Sequence, residues 1–198
     1  MRVLIACEFS GVVREAFIKR GHNAWSCDLL PSDIPGPHLQ MDILELLEKD
    51  PDWDLMIAFP PCTHLAVSGA RYFKDKQFEQ QEALDFVVAL LDAPIPCIAL
   101  ENPVGIISTR VRKPDQIIQP YDFGHDASKR TCLWLKNLPK LAPTSVIEPT
   151  VLANGKRIWG NQTPSGQNKL GPSPDRWKLR SITYQGIADA MAEQWGNL

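Results

Sequence analysis

The sequence lacks the features that would place it at once in a membrane, secreted or metal-dependent class. No apolar run approaches the roughly 18 residues of a membrane span, and the apolar start breaks at Glu8, too early for a secretion signal. The five cysteines are scattered and form no C-x-x-C pair, so neither a disulfide framework nor a zinc site is indicated. We therefore expect a cytoplasmic protein with reduced thiols and no bound metal.

A large charge of one sign is lacking as well, because 21 Lys and Arg stand against 23 Asp and Glu. The net charge of −2 excludes a uniformly basic nucleic-acid binder and leaves a local basic patch open. Apolar residues make up 44% of the chain, which excludes a wholly disordered protein. A chain of 198 residues is expected to form one domain, residues 1–198.

Apolar stretches alternate with segments of helical periodicity over the first two-thirds of the chain. The pattern predicts helices at 12–20, 43–49, 78–91 and 186–195, and strands or strand-like segments at 3–6, 23–27, 39–41, 54–58, 95–100 and 131–135. Strands that alternate with helices form βαβ units. We therefore predict an α/β fold with a doubly wound, mostly parallel, Rossmann-like sheet.

Polar or reactive residues follow five of these segments. Ligands of open parallel sheets bind outside the carboxyl ends of the strands. One such residue alone is more often a helix cap or a solvated loop residue, but five in equivalent positions predict a ligand site. They are Glu8, Asp28, Asp42, Cys62 and Glu101.

The first strand, loop and helix suit a nucleotide-type cofactor. Asp28 lies 17 residues beyond Gly11, close to the spacing at which an acid accepts hydrogen bonds from ribose hydroxyls. The sequence contains neither G-x-G-x-x-G nor G-x-x-x-x-G-K-[ST], so a bound pyrophosphate is disfavoured. This favours S-adenosylmethionine over NAD or ATP as the cofactor.

Two motifs carry a resemblance to a known family. Phe59-Pro60-Pro61-Cys62 resembles the Pro-Pro-Cys nucleophile loop of the DNA cytosine-5 methyltransferases, and Glu101-Asn102-Pro103 resembles their Glu-Asn-Val motif. The order of the motifs and the strand before each also match. The resemblance covers about residues 3–135, and the chain is most similar to the short methyltransferase-like proteins of bacteriophages and prophages. It implies a sheet of the S-adenosylmethionine-dependent methyltransferase type, a cofactor-binding and catalytic core at 1–135, and a bacterial or phage-infected host cell.

The resemblance also implies catalytic roles. Cys62 would add to C6 of cytosine, Glu101 would supply a proton at N3, and Asn102 would position the loop. Lys129 or Arg130 stands near the place of the family's Arg-x-Arg element, although a solvated basic pair before a strand is an equal alternative. The implied cofactor site consists of Glu8, Phe9, Ser10, Gly11, Asp28, Asp42 and Pro60. Two glycines of the family's first loop are replaced here.

The segment 154–180 matches nothing in the resemblance, and the family's separate target recognition domain has no counterpart of ordinary size. Between Lys156 and Arg180 stand six Lys or Arg and a single acid, Asp175, with two tryptophans interleaved. This composition predicts a reduced nucleic-acid recognition element, and the alternative is a surface loop whose tryptophans pack on the core. The predicted contacts are Lys129, Arg130, Lys156, Arg157, Trp159, Lys169, Arg176, Trp177 and Lys178.

Three hypotheses of function follow. The first is methyl transfer from S-adenosylmethionine to C5 of cytosine in DNA, with the base flipped out of a duplex. The second keeps the chemistry and takes single-stranded DNA or a free cytosine nucleotide. The third is a non-catalytic module that binds DNA or a protein partner. A homodimer, or a partner that supplies specificity, is compatible with each.

Overall fold

The computed structural model describes residues 1–66 and 77–197, and its centre is a seven-stranded sheet. The strands of this sheet are β1 Arg2–Ala6, β2 Asn23–Asp28, β3 His38–Gln40, β4 Leu55–Ala58, β5 Cys97–Pro103, β6 Gln116–Ile118 and β7 Thr131–Lys136. The helices are α1 Val12–Lys19, α2 Ile43–Lys49, α3 Gln77–Leu91, α4 Ile107–Arg110, α5 Arg176–Ser181 and α6 Gln185–Trp195. A two-stranded ribbon, β8 Thr150–Val151 and β9 Arg157–Ile158, stands apart from the sheet.

The strands lie in the order β3-β2-β1-β4-β5-β7-β6. The first five of these are parallel, and β7 runs antiparallel to both β5 and β6. The order reverses direction between β1 and β4, which makes their carboxyl ends a topological switch point, where ligands of such sheets bind. The predicted doubly wound, mostly parallel sheet is confirmed.

Alternate residues of the strands enter two hydrophobic cores, one on each face of the sheet. Leu4 and Met56 face α2 and α3, whereas Ile5 and Ile57 face α1 and α6. Continuous burial of all four residues of β4 is typical of a strand covered on both faces. Helix α6 therefore belongs to the same folded unit as the predicted core 1–135, although it comes from the end of the chain.

Strand β5 is longer at its carboxyl end than the prediction of 95–100. Its parallel pairing with β4 stops at Leu100, but the antiparallel pairing with β7 continues from Glu101 to Pro103. Glu101 and Asn102 are thus strand residues rather than loop residues, and their directions are fixed by the sheet. None of the helices in the described part of the chain has the length and apolar character needed to cross a membrane.

Candidate active site

A cavity of about 380 Å³ opens at the switch point of the sheet. Its walls come from the ends of four neighbouring strands: Cys7 follows β1, Asp28 ends β2, Asp42 follows β3 and Pro61 follows β4. Helix α3 closes the far side with apolar and acidic side chains, Glu79, Glu82, Ala83 and Phe86. We call this space the large cavity.

Both predicted acids of the large cavity are anchored to the backbone of their own loops. Asp28 accepts a hydrogen bond from the amide of Leu30 at 2.9 Å, and Asp42 caps α2 by accepting from the amide of Leu44 at 2.7 Å. A carboxylate has about four lone-pair sites, so each acid keeps acceptor capacity for a ligand. Burial raises the pKa of Asp28, and its backbone hydrogen bonds oppose that change.

The residues of the large cavity fit S-adenosylmethionine. The volume lies within the range of small-molecule sites. Asp28 and Asp42 can accept hydrogen bonds from hydroxyl and amine groups, while Ile43 and Phe86 offer apolar contact to a flat ring. The acidic lining also suits a ligand that carries a positive sulfonium and an ammonium group.

Glu8 and Ser10 are engaged in a different task. The Glu8 carboxylate is buried and accepts hydrogen bonds from the Val13 amide at 2.8 Å, the Arg14 amide at 3.3 Å and the Ser10 hydroxyl at 3.0 Å. Burial raises the pKa of Glu8, and these hydrogen bonds counter the rise. The carboxylate therefore satisfies the N-terminus of α1, where a ligand's anionic group would otherwise bind.

Three other residues of the predicted cofactor site do not line the large cavity either: Phe9 and Gly11 of the first loop, and Pro60 after β4. Phe9 is 8% exposed, and the centroid of its ring lies 6.0 Å from that of Trp177. Gly11 has φ of 74°, and a Cβ there would meet the Arg14 guanidinium at 2.8 Å, so this position requires glycine. Pro60 is buried and contributes its carbonyl oxygen to the neighbouring strand, as described next.

Cys62 lies beyond the end of β4, and Glu101 lies in the adjacent strand β5, one residue past the last pair between the two strands. Asn102, 1% exposed, donates from Nδ2 to the carbonyl oxygen of Pro60 at 2.8 Å and so ties the cysteine loop to β5. A second tie, from the Ile106 amide to the carbonyl of Leu65 at 2.9 Å, holds the described part of that loop after Cys62. The cysteine loop, residues 59–66, is thus held on both sides of Cys62 by the segment 101–106, which we call the Glu101 segment.

Gly105 is a site-supporting residue that sequence reasoning missed. A Cβ at this position would lie 2.1 Å from the carbonyl oxygen of Leu65, closer than any real contact. The close backbone approach between the two loops therefore depends on glycine. A glycine three residues after Asn102 was the single available signal, and it does not by itself indicate such a contact.

A second, small cavity of about 20 Å³ adjoins Glu101. It is lined by Phe59, Glu101, Pro120, Lys129, Thr131, Ser181, Thr183, Tyr184, Ile187 and Met191. This volume holds about one water molecule and is too small for a nucleobase. Ser181 ends α5, and Thr183 and Tyr184 belong to the connection from α5 to α6, so this part of the chain forms one wall of the cavity.

Burial and charge set the protonation states of the two reactive groups. Burial within the protein raises the pKa of Glu101, and the Lys129 ammonium opposes the rise. The pKa of Cys62 is also raised, first by desolvation of the thiol and then by the negative charge of Glu101, while Lys129 and Arg180 act to lower it. The residue Cys62, taken as a whole, is nevertheless exposed to solvent, so a substrate can reach it.

The structure distinguishes the two basic candidates before β7. Lys129 is half-buried, lines the small cavity and donates from Nζ to the backbone carbonyl of Arg180 at 2.7 Å. Arg130 is exposed and does not line the small cavity. Of the predicted pair, Lys129 is therefore the side chain brought to Glu101.

The segment 154–180, which we call the basic segment, is docked on the loop that precedes β7. Asn161 exchanges two hydrogen bonds with the backbone of Ser128, at 2.9 and 3.0 Å, and Trp159 stacks on Tyr121 with ring centroids 4.5 Å apart. The other predicted contacts outside α5 are Lys156, Arg157 and Lys169, and all three are exposed. Arg157 pairs with Glu148 at 3.6 Å, and Lys169 donates to the Gly160 carbonyl at 2.7 Å.

Helix α5 bridges the two sides of the site. At one end Lys178 pairs with Asp33 at 2.6 Å and lies 5.4 Å above the ring of Phe9, and Trp177 packs on the same ring while remaining 58% exposed. At the other end the Arg180 carbonyl holds Lys129. Arg176, half-buried, begins the helix. The basic segment thus covers the first loop and reaches the small cavity.

No protein-family model matches the sequence, and no curated protein matches it. Among solved structures, a prophage-encoded protein of E. coli assigned as a DNA modification methyltransferase is similar, with 16% identity, a TM-score of 0.52, and coverage of 76% of this chain and 53% of the other. A mutant of DNMT2 from Spodoptera frugiperda gives 16% identity, a TM-score of 0.44, and coverage of 74% and 54%. The chain spans about half the length of the structures it matches.

The first of these similarities bears on the architecture already described. The prophage protein shares the arrangement at a level that indicates a common fold, in agreement with the resemblance that the sequence motifs carry. The strand order, the reversed β7 and this similarity together show that the chain has the Rossmann-like fold of S-adenosylmethionine-dependent methyltransferases.

Proposed function

We propose that this protein transfers a methyl group from S-adenosylmethionine to C5 of cytosine in DNA, through a covalent bond between Cys62 and C6. One observation carries the proposal. The Asn102 side chain ties Pro60 to β5, so the loop of Cys62 and the carboxyl of Glu101 are held as one unit, with Pro61 of that loop in the wall of the large cavity and Glu101 in the wall of the small one. A loop with only a structural role would not need a thiol within it and a desolvated carboxyl on the strand beside it.

In this mechanism Cys62 attacks as the thiolate. Sulfur adds to C6 of cytosine, N3 takes a proton from the Glu101 carboxyl, and C5 becomes nucleophilic. S-adenosylmethionine supplies an electrophilic methyl group on a sulfonium sulfur. C5 would take that methyl as the sulfonium–methyl bond breaks and S-adenosylhomocysteine leaves. A base would then remove the C5 proton, N3 would return its proton to the Glu101 carboxylate, and the Cys62–C6 bond would break, which releases the product and restores the thiolate.

The protonation states of Cys62 and Glu101 are linked, because the charge of Glu101 acts on the pKa of Cys62. Glu101 must be neutral to donate, and burial favours its neutral form. The charge of ionised Glu101 raises the pKa of Cys62, so a neutral Glu101 favours the thiolate that the reaction requires. Lys129 and Arg180 further favour the thiolate through their positive charges.

The cofactor would be held in the large cavity. Asp28 and Asp42 offer carboxylates for ribose hydroxyls and an adenine amine, and Pro61 adjoins Cys62 in the wall of that cavity. Glu8 would act on the first loop by capping α1 rather than by contact with the ligand. Phe9 is shielded by α5, so its predicted stacking on adenine would require α5 to move.

The proposal is tested by incubating the protein with S-adenosylmethionine labelled in the methyl group. Duplex DNA, single-stranded DNA and cytosine nucleotides are offered separately. We expect label at C5 of cytosine in DNA, loss of transfer in Cys62→Ser, and unchanged transfer in Cys97→Ser, whose thiol lies at the opposite end of β5. Label on the nucleotide alone would replace the DNA substrate by the second hypothesis, and transfer by Cys62→Ser would contradict the mechanism.

One observation favours the third hypothesis, a non-catalytic module. The Glu8 carboxylate occupies the N-terminus of α1, so the first loop offers an anionic ligand group no binding site there. Calorimetry with S-adenosylmethionine separates the hypotheses. Binding that is lost in Asp42→Ala supports the enzyme, whereas DNA binding without cofactor binding supports the module.

A further inference from the structure

We propose that Thr131 is a positioning residue for Glu101: its hydroxyl engages Oε1, so that the carboxyl proton is carried on Oε2 and offered to the cytosine. This inference rests on the proposed function and adds a residue that neither sequence motif contains. It assigns a role to the first residue of β7, which the sequence pattern predicts only as the start of a strand.

The sheet register brings the two side chains together. In the antiparallel pair of β5 and β7, Glu101 lies opposite Leu133 and Thr131 lies opposite Pro103. Glu101 and Thr131 are therefore diagonal neighbours on one face of the sheet, within reach of each other. The Thr131 hydroxyl donates to Oε1 of Glu101, and both residues line the small cavity. Thr131 is 4% exposed, so this hydroxyl is shielded from water that would compete.

The chemistry of a carboxyl group gives this contact its consequence. A neutral carboxyl carries one proton on one of two oxygens, and the two are equivalent only when their surroundings are alike. A hydroxyl that donates to Oε1 makes Oε1 an acceptor and leaves Oε2 for the proton. A general acid acts only when its proton points at the reacting atom. Thr131 thereby selects the productive form of Glu101.

The same hydrogen bond also acts on the pKa of Glu101. Donation to a carboxylate favours the charged form and so opposes the effect of burial. Four titratable or charged groups lie near Glu101 on the packed elements: Lys129 before β7, Cys62 after β4, Cys132 in β7 and Tyr184 before α6. Among the described residues, Thr131 is the side chain that donates a hydrogen bond to the Glu101 carboxyl.

The first test reads Glu101 directly and needs no catalysis. The side-chain carboxyl carbons are labelled with ¹³C, and the Glu101 signal is identified by its loss in Glu101→Gln. We expect the midpoint of the Glu101 titration to move to higher pH in Thr131→Val, which keeps the shape and removes the donor, and to remain in place in Thr131→Ser. Thr109→Val, on α4, is the control, because its hydroxyl bonds only the carbonyl of Ile106, the residue before that helix. An unchanged midpoint in Thr131→Val would overturn the proposal.

The second test is kinetic. Thr131→Val should lower kcat about tenfold, part of the factor that a positioned general acid supplies, while KM for S-adenosylmethionine stays the same. The limb of the pH profile that Glu101 controls should move to higher pH, and Thr131→Ser should restore both values. An equal loss in the serine variant, with no change of pH profile, would mean a structural role only. Thr131→Ala gives the same readings if valine does not fold.

Failure of this inference can be told apart from failure of the proposed function. If the wild-type protein methylates no cytosine substrate, the proposed function falls, and the ¹³C titration still decides whether Thr131 sets the protonation of Glu101. If the wild type is active and Thr131→Val keeps its titration and its kcat, the enzyme stands and the role of Thr131 is wrong.

Discussion

Glu101 combines three properties that conflict in a residue with only a structural role: it is ionisable, desolvated and placed against a cavity. Desolvation of the Glu101 carboxyl outweighs the nearby Lys129 ammonium, so the folded protein favours its neutral form. Its pKa in the folded state lies above the ordinary value of 4.5, so its stabilising effect is full below that value and is lost as the pH rises through the folded pKa. Natural sites that keep such a group usually do so for function.

We therefore expect Glu101→Gln to increase the free energy of unfolding at about pH 8 and to leave it nearly unchanged at about pH 4, because the amide never ionises. Urea unfolding at both values measures this. Glu48→Gln, exposed on α2, is the control and should change little at either pH. A variant that is equally stable or less stable at the higher pH would contradict a desolvated carboxyl at position 101.

Gly105 shows how a residue without chemistry supports the site. The Cβ of Gly105→Ala would meet the Leu65 carbonyl at 2.1 Å, so the cysteine loop and the Glu101 segment must separate. Such overpacking costs about 1–3 kcal/mol, and we expect this loss in urea unfolding together with loss of methyl transfer. Gly171→Ala is the matched control, since no described atom lies within 4 Å of its Cβ. Equal behaviour of the two variants would refute the close approach.

At the scale of elements, the helices and strands that could be predicted are those whose own apolar residues recur at the positions that pack in the core. Strand β4 and helix α2 are apolar at the positions that pack, and α2 was predicted with its bounds. Strands β6, β8 and β9 and helices α4 and α5 were missed. They have six residues or fewer with few or none buried, so partners distant in the sequence hold them rather than their own periodicity.

The site was predictable to the same extent. The ends of parallel strands meet at one edge, so Asp28 and Asp42 could be expected in one cavity, and their motifs placed Cys62 beside Glu101. The engagement of Glu8 with α1 and the cover of α5 over Phe9 depend on tertiary contacts that no spacing reveals. Whether any of these residues binds a ligand stays a prediction.

None of the residues of α5 is buried, so the contacts at its two ends hold the helix in place. Trp177→Ala removes the packing on Phe9 and should increase hydrogen exchange of the α5 amides several-fold, while the amides of α6 keep their rates. Leu179→Ala is the matched control: it truncates an exposed side chain of the same helix. Equal exchange in both variants would show that α5 does not depend on the first loop.

At the scale of the whole molecule, a net charge of −2 conceals an uneven distribution. Lys156, Arg157 and Lys169 stand on the segment docked beside the small cavity, and Arg176, Lys178 and Arg180 belong to α5. A nucleic acid bound there would release counterions, and its affinity would fall as the salt concentration rises.

Arg176→Glu should therefore weaken binding to duplex DNA and make the slope of log affinity against log salt less steep by about 1–2. Lys113→Glu has the same charge change on an exposed residue before β6, at the end of that strand away from the loop that precedes β7, and serves as the control. Fluorescence anisotropy with a labelled duplex measures both variants. Identical slopes for the two would place the DNA elsewhere.

The central claim is that Cys62 forms a covalent bond with a cytosine in DNA. Fluorine at C5 cannot leave as a proton does, so DNA that contains 5-fluorocytosine should trap the adduct after methyl transfer. Intact mass spectrometry, followed by peptide mapping, should find one DNA strand attached through Cys62, only when S-adenosylmethionine is present, and none in Cys62→Ser. An adduct on another cysteine, or methyl transfer to unmodified DNA without any trapped complex, would contradict the account.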